Sequence, residues 1–347
     1  MTWSGPARTA ARRTRSTALV AGFACLAVLL AATAFAAARH LPNKDRTHLS
    51  PEGWPRRGQA AIVVGNDPPE ASPHEQPAPI ASLAKVMTAY LTLKRYRLSD
   101  AQDGFTITVA AAESHAEAEA AAQGESVVAV RAGEQLTERE MLEALLIPSG
   151  NNIAQMLAAR LAGSETRFIA EMNAEARTLG MDHTVYTDPS GFDPSTVSTA
   201  ADQLRVFRRA MRFSVFRQIV STASVRLPVA GTVTNYDPLL PEGYAGKTGS
   251  DSAANGCLAF FTQATVGGRR QTAVGVVLGQ GHGSDTLALL AAAGEAAEQL
   301  VDFVAPAIHV RAIAAPGAAG GRGQDVGPHA TGSYSLPASD ALVELGR

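Results

Sequence analysis

Gln59-Ala60-Ala61-Ile62-Val63-Val64-Gly65 is a short apolar run closed by Asn66-Asp67-Pro68-Pro69, which predicts a buried first strand and a turn. A proline-rich loop leads to Pro79-Ile80-Ala81-Ser82-Leu83-Ala84-Lys85-Val86-Met87-Thr88-Ala89-Tyr90, an apolar stretch that predicts a helix beginning near Ser82. Phe105 to Val109 alternates like a strand. Ala110 to Ala122, rich in alanine and glutamate, reads as helix or loop, and Ser126 to Val130 as a short extended piece. Thr137-Glu138-Arg139-Glu140 carries a capping box, with Met141, Leu142, Leu145 and Leu146 at helical spacing until Pro148. Ser149-Gly150-Asn151-Asn152 forms the loop before a helix from Ile153 to Leu161. Arg167 to Leu179 and Ala200 to Met211 predict two more helices, separated by a loop that contains Asp188-Pro189-Ser190-Gly191. From Val225 the pattern turns to strands: Cys257 to Ala264 and Thr272 to Gly279 form an antiparallel hairpin about Gly267-Gly268, and Leu287 to Phe303 is a last helix. This order of elements predicts a mixed α/β domain.

At the N-terminus, Arg8, Arg12, Arg13 and Arg15 precede an uncharged apolar run from Thr17 to Ala38, long enough to cross a bilayer with the arginines on the cytoplasmic side. Residues 1–39 are therefore read as a signal or membrane anchor that places the rest outside the cytoplasm. Ala34-Phe35-Ala36 and Ala36-Ala37-Ala38 resemble cleavage sites, so cleavage stays open. Residues 40–58, polar with Pro42, Pro51 and Pro55, read as a linker, and 59–305 as the folded domain. The Ala, Gly and Pro content of 306–347 predicts a flexible tail.

Composition removes some classes of function. The 347 residues carry a net charge of -2 without a basic-aromatic patch, which argues against nucleic-acid binding. Cys25 and Cys257 are the only cysteines, one in the apolar run and one far downstream, so no disulfide is expected within the domain. No Cys/His cluster or calcium-loop pattern is present, and neither a metal nor a cofactor is expected. Of 30 basic residues only Lys44, Lys85, Lys94 and Lys247 are lysine. A chain that uses arginine by default spares lysine where a compact amine that can lose its proton is needed.

Two of those lysines fall in candidate chemistry. Ser82 and Lys85 are three residues apart, so on a helix they share a face and put a nucleophile beside a base. Serine attacks only when something takes its proton, and lysine can do so only where burial or charge lowers its pKa. The N-terminus of the helix would add N–H groups where an oxyanion forms. Ser149 and Asn151 read either as turn and cap residues or, placed opposite Ser82, as a hydroxyl that passes protons and an amide that holds a peptide bond. Lys247, Thr248 and Gly249, followed by Ser250, read either as an ordinary glycine-flanked strand start or as a strand edge that clamps a carboxylate while the glycine admits a substrate backbone.

Together, Ser82-x-x-Lys85, Ser149-Gly150-Asn151 and Lys247-Thr248-Gly249 follow the order of the three-motif set of penicillin-binding proteins and class A β-lactamases. Pro79 to Tyr90, Gly133-Glu-Gln-Leu-Thr, Ile147-Pro-Ser-Gly-Asn-Asn, Met172-Asn-Ala with Leu179-Gly-Met, and Gly246-Lys-Thr-Gly with Cys257-Leu258 resemble one branch of that set. That branch is the serine D-alanyl-D-alanine carboxypeptidases of the low-molecular-weight penicillin-binding proteins, and the resemblance covers roughly residues 59 to 303. It implies a β-lactamase/transpeptidase-like α/β fold, an antiparallel sheet flanked by helices plus a mainly helical lobe, with the site in the cleft between them.

The resemblance also implies roles. Ser82 would attack the penultimate D-alanine carbonyl of a peptidoglycan stem peptide, with Lys85 as base, Ser149 as proton relay, and Asn151 holding the substrate amide and Lys85. Lys247 and Thr248 would bind the terminal carboxylate, and the N–H groups of Ser82 and Ser250 would form the oxyanion hole. β-Lactams would be covalent inhibitors, and the setting the bacterial cell envelope. Two alternatives stand beside this reading. A class A-like β-lactamase would carry a water-activating glutamate in a Glu-x-x-Leu-Asn stretch, which Glu165, Glu171 and Glu175 do not begin. A non-catalytic penicillin- or peptidoglycan-binding module would need neither Lys85 nor Ser149. The chain departs from the family at Ala84, usually threonine, at Ala254-Asn255, usually Ala-Gly, and at Gln280 to Asp285, which lacks a frequent carboxylate-binding arginine.

Overall fold

The computed structural model describes residues 51–266 and 268–314. In chain order they form β1 (Gln59–Val64), β2 (Glu70–Ala71), β3 (Ala78–Pro79), α1 (Ala84–Arg95), β4 (Thr106–Thr108), α2 (Ala111–Ala122), β5 (Gln135–Thr137), α3 (Glu138–Leu146), α4 (Asn151–Ala162) and α5 (Glu165–Thr178). There follow β6 (Val197–Ser198), α6 (Ala200–Ala210), α7 (Ser214–Val220), β7 (Ser224–Leu227), β8 (Gly231–Thr234), β9 (Ala245–Asp251), β10 (Asn255–Val266), β11 (Arg269–Gln280) and α8 (Thr286–Ala314).

The main sheet is antiparallel, in the order β2-β1-β11-β10-β9. Both faces are covered, which is why its strands read as nearly continuous apolar runs. Ala60, Ile62, Val64, Leu258, Phe260 and Val277 pack with Ala293, Ala297 and Leu300 of α8. Ala61, Val63, Cys257, Ala259, Val274 and Val276 belong to the larger core shared with the helices. Gly275 sits opposite Phe260, and a Cβ there would lie 2.4 Å from the aromatic ring, so the glycine makes room for it. β9 is an edge strand, and it packs against the turn that carries Ser82.

In the helical lobe every residue from Ala84 to Leu93 is buried, so α1 is a core helix wrapped by α3, α4, α5 and α6. Where α1 leaves the core, Glu175 of α5 accepts hydrogen bonds from Tyr90 Oη at 3.0 Å and Lys94 Nζ at 2.6 Å. The capping box forms as its sequence predicts: Thr137 Oγ1 accepts from the Glu140 N–H at 3.2 Å, and Glu140 Oε2 accepts from the Thr137 N–H at 2.8 Å.

Two local expectations are corrected, and one that stood open between helix and loop is decided. Ser126 to Val130 joins no strand ladder, because the Asn152 amide occupies the Val128 backbone, donating to its carbonyl at 2.8 Å and accepting from its N–H at 3.0 Å. Ala111–Ala122 is helical, yet none of its side chains is fully buried. The last helix continues past Phe303 and through Pro306 to Ala314, so residues 306–314, expected as tail, are helical. Among the described residues no helix is long and apolar enough to cross a membrane. The apolar run from Thr17 to Ala38, and the expected tail beyond 314, lie outside the described residues.

Candidate active site

The nucleophile sits one step earlier than a helix start. Ser82 lies in a 3₁₀ turn, Ala81–Leu83, that runs into α1, and a 3₁₀ turn eclipses residues three apart even more closely than an α-helix does. Ile80 and Leu83 are fully buried and pin the turn from both sides, leaving Ser82 half-buried between them. Ala81 holds a φ of 44°, a left-handed conformation rare for a residue with a side chain, of the kind that collects at functional sites.

Lys85 is fully buried directly beneath this turn. Its Nζ lies 2.8 Å from Ser82 Oγ, 2.6 Å from Asn151 Oδ1 and 3.0 Å from the carbonyl oxygen of Ser190. Burial, reinforced by the nearby positive charge of Lys247, pushes its pKa well below the usual lysine value, against the opposing pull of Asp188 and Glu125.

Asn151 opens α4, and the loop before it is tightly specified. The Gly150 N–H donates to Ala144 O at 3.0 Å and the Asn151 N–H to Ser126 O at 2.7 Å. A Cβ on Gly150 would come within 2.9 Å of both Ile153 and Val128. Ser149 is held at a φ of 67° and presents its hydroxyl to Lys247 Nζ at 3.0 Å. Lys247, 1% exposed on β9, also donates to its neighbour's carbonyl, Thr248 O, at 2.8 Å. Burial lowers its pKa to about 7, with the carboxylate of Asp237 acting in the opposite direction. Gly249 faces the nucleophile turn: a Cβ there would lie 3.1 Å from the backbone nitrogen of Ser82. Thr248 is buried beside it, and Ser250 is half-buried one residue on.

The predicted residues thus form two hydrogen-bonded groups, Ser82–Lys85–Asn151 and Ser149–Lys247–Thr248. The charge of Lys247, felt at Lys85, couples them.

Sequence reasoning missed several supporting groups. The loop Asp188-Pro189-Ser190-Gly191 forms a wall of the site rather than a mere connection. Asp188 accepts from the Ser190 hydroxyl at 2.6 Å, from Thr196 Oγ1 at 2.8 Å, and from the N–H groups of Gly191 and Phe192 at 3.0 and 2.9 Å. Thr88 Oγ1 ties the same loop to α1 by donating to Pro189 O at 2.7 Å. A Cβ on Gly191 would fall 1.8 Å from Ala81 O, so only glycine lets this loop press against the nucleophile turn. The signal was an Asp-Pro-Ser-Gly turn pattern, read only for its local chemistry. Glu125, which accepts from Asn151 Nδ2 at 2.8 Å, gave no motif signal at all.

A family model described as D-alanyl-D-alanine carboxypeptidase matches residues 70–281, a stretch that contains every one of these groups. The chain belongs to that family. It is 37% identical over 201 residues to a D-alanyl-D-alanine carboxypeptidase of Mycobacterium tuberculosis, covering 55% of this chain and 64% of that protein. It is 32% identical over 145 residues to a D-alanyl-D-alanine endopeptidase of Pseudomonas aeruginosa, covering 42% and 43%. The chain therefore spans less than two thirds of the length of either relative. Among solved structures, a Streptomyces DD-transpeptidase superposes with a TM-score of 0.60 at 25% identity, over 72% of this chain and 98% of that one. A penicillin-binding protein homologue from Mycobacterium tuberculosis gives 0.58 at 28% identity, over 76% and 93%. The antiparallel sheet flanked by helices is the fold of this family.

Proposed function

We propose that this chain is a serine D-Ala-D-Ala carboxypeptidase that removes the terminal D-alanine of peptidoglycan stem peptides through an acyl-enzyme on Ser82. The observation that carries the proposal is the set of three contacts around the Lys85 amine. A neutral amine offers two hydrogens and one lone pair. Asn151 Oδ1 and Ser190 O can only accept, so they take the hydrogens and leave the lone pair to the Ser82 hydroxyl. Burial and Lys247 favour this neutral form.

The reaction follows from that arrangement. Ser82 Oγ attacks the carbonyl carbon of the penultimate D-alanine and its proton passes to Lys85. The N–H groups of Ser82 and Ser250 stabilise the oxyanion, and the terminal carboxylate is held by Lys247 and Thr248. When the C–N bond breaks, the leaving amine takes a proton delivered through Ser149, which lies 3.0 Å from Lys247 Nζ. Water then hydrolyses the Ser82 ester and restores the hydroxyl. Lys247 and Thr248 do this without an arginine from Gln280 to Asp285.

Two of the three glutamates considered for a β-lactamase are engaged elsewhere, which favours the carboxypeptidase reading: Glu171 pairs with Arg95 at 2.8 Å, and Glu175 is bound by Lys94 and Tyr90. The test is release of D-alanine from a peptide ending in D-Ala-D-Ala, together with labelling by a fluorescent penicillin, each repeated on Ser82→Ala. Release and durable labelling, both lost in Ser82→Ala, are expected. Labelling without release would point to a binding module, and rapid loss of label with β-lactam hydrolysis to a lactamase. Because one relative is an endopeptidase, a cross-linked peptide dimer belongs in the same assay.

The proposal extends to location. Residues 1–39 would export the domain or anchor it in the membrane, 40–58 would tether it, the folded domain from 59 to the end of α8 would act on the wall outside the cytoplasm, and the chain beyond α8 would trail as a tail. Protease added to intact cells should degrade the catalytic domain. Protection from it would overturn this placement.

A further inference from the structure

Asn151 is held at both ends of its amide. Its Oδ1 accepts from Lys85 Nζ at 2.6 Å, and its Nδ2 donates to Glu125 Oε2 at 2.8 Å. An amide side chain can turn over and exchange its oxygen and nitrogen, and near Lys85 the two orientations differ in consequence. With Nδ2 facing Lys85, the lone pair of the neutral amine would be drawn to that N–H and away from Ser82. The carboxylate of Glu125 only accepts, so it admits only the orientation that gives Lys85 an acceptor.

We propose that Glu125 is a positioning residue for acyl transfer: it fixes the Asn151 amide and, through it, the direction of the Lys85 lone pair toward Ser82. The inference rests on the acyl-transfer reading of Ser82 given above. Glu125 is suited to the task because its loop is locked on both sides of the contact. Its own N–H donates to Ala120 O at 3.1 Å at the end of α2, and just beyond it Ser126 O accepts from the Asn151 N–H at 2.7 Å and Val128 is clamped by the Asn152 amide. One hydrogen of Asn151 Nδ2 is used by Glu125, and the other is left for a substrate carbonyl.

Glu125 also contributes to the field at Lys85. The charged groups facing that amine are Lys247 from β9, which lowers its pKa, and Asp188 from the loop before β6 and Glu125 from the loop after α2, which raise it. Without the Glu125 charge the pKa of Lys85 falls further. The base is then unprotonated over a wider range, and the acid limb of the acylation profile moves to lower pH.

The experiment is the second-order rate of Ser82 acylation by a fluorescent penicillin, measured against pH for wild type, Glu125→Gln and Glu125→Asp, with thermal melts to check folding. Glu125→Gln, which can donate to Asn151 and let it turn over, is expected to acylate roughly tenfold more slowly, with its acid limb displaced to lower pH. Glu125→Asp keeps the charge on a shorter stem, so it should keep the acid limb of the wild type and fall between the two in rate. A Glu125→Gln enzyme with the rate and acid limb of the wild type would overturn the inference. Should Glu125→Gln fail to fold, Glu125→Asp decides: an undiminished rate or a displaced acid limb would refute the role. A wild-type protein that is not acylated, or that releases no D-alanine, would instead defeat the carboxypeptidase reading.

Discussion

Lys85 and Lys247 are 0% and 1% exposed, and each holds its amine against a serine hydroxyl, yet their surroundings suit them to different work. Burial lowers the pKa of both. The next charge separates them. For Lys85 it is the positive Lys247, which drives its pKa down further, whereas for Lys247 it is the carboxylate of Asp237, which resists the fall. On the proposed mechanism the first takes a proton and the second, in its charged form, meets a substrate carboxylate. Identical side chains at nearly identical depth are set apart by the charges around them: Lys85 by Lys247 against Asp188 and Glu125, Lys247 by Asp237.

The largest test of that contrast removes each amine in turn. Lys85→Met keeps the length and apolar stem but abolishes the base, and should reduce the rate of penicillin acylation by about 10³-fold. Lys247→Met should reduce kcat/KM for a peptide ending in a free carboxylate by roughly 10- to 100-fold, the effect of one lost charge-assisted hydrogen bond, mainly through KM. For the same peptide with an amidated C-terminus the Lys247→Met penalty should shrink to what the lost Ser149 contact and the raised pKa of Lys85 leave, while that of Lys85→Met should not shrink. Equal losses on both peptides would show that the two lysines do not divide the work.

The pH profile sharpens the same contrast. On the proposed mechanism Lys85 works unprotonated, so kcat/KM should rise as pH rises through its depressed pKa. Lys247 would work protonated, so kcat/KM for a free-carboxylate peptide should fall as pH rises through about 7 in the free enzyme. Steady-state rates on the amidated peptide should retain the rising limb and lose much of the falling one. A falling limb of equal depth on both peptides would assign it to some group other than Lys247.

How far the sequence disclosed this site depended on where each group's signal lay. Ser82 and Lys85 were legible because a spacing of three imposes their contact in a helical or 3₁₀ turn, and Lys247 because Lys247-Thr248-Gly249 completes the three-motif resemblance. The central strands were legible because burial on both faces leaves a run of apolar residues. Glu125 was not legible, since its partner Asn151 is 26 residues away and only the fold brings them together. Asp188 was visible as a turn former, but its use as the post on which a wall of the site hangs depends on Gly191 meeting Ala81 O across more than 100 residues of chain. Val128 misled for a related reason: its backbone is satisfied by a side chain, Asn152, so an extended pattern formed no strand.

The smallest expected effect isolates the charge that distinguishes the two lysines. Asp237 is 5% exposed, its Oδ1 accepts from the Leu239 N–H at 3.0 Å, and its Oδ2 is buried with no hydrogen-bond partner among the described residues. Burial raises its pKa, and Lys247 opposes that rise. Asp237→Asn retains an oxygen for the Leu239 N–H, so the turn should survive, but it removes the negative charge that supports the Lys247 ammonium. The pKa of Lys247 then falls, and the alkaline limb of kcat/KM on the free-carboxylate peptide moves to lower pH. Just above neutrality the loss should be only a few-fold, because one neighbouring charge moves that limb modestly and the protonated fraction follows in proportion. Acylation measured on the acid side, where Lys247 is charged in both proteins, should be unchanged. A uniform loss across the whole range would mean that Asp237 supports the fold of the strand and not the charge upon it.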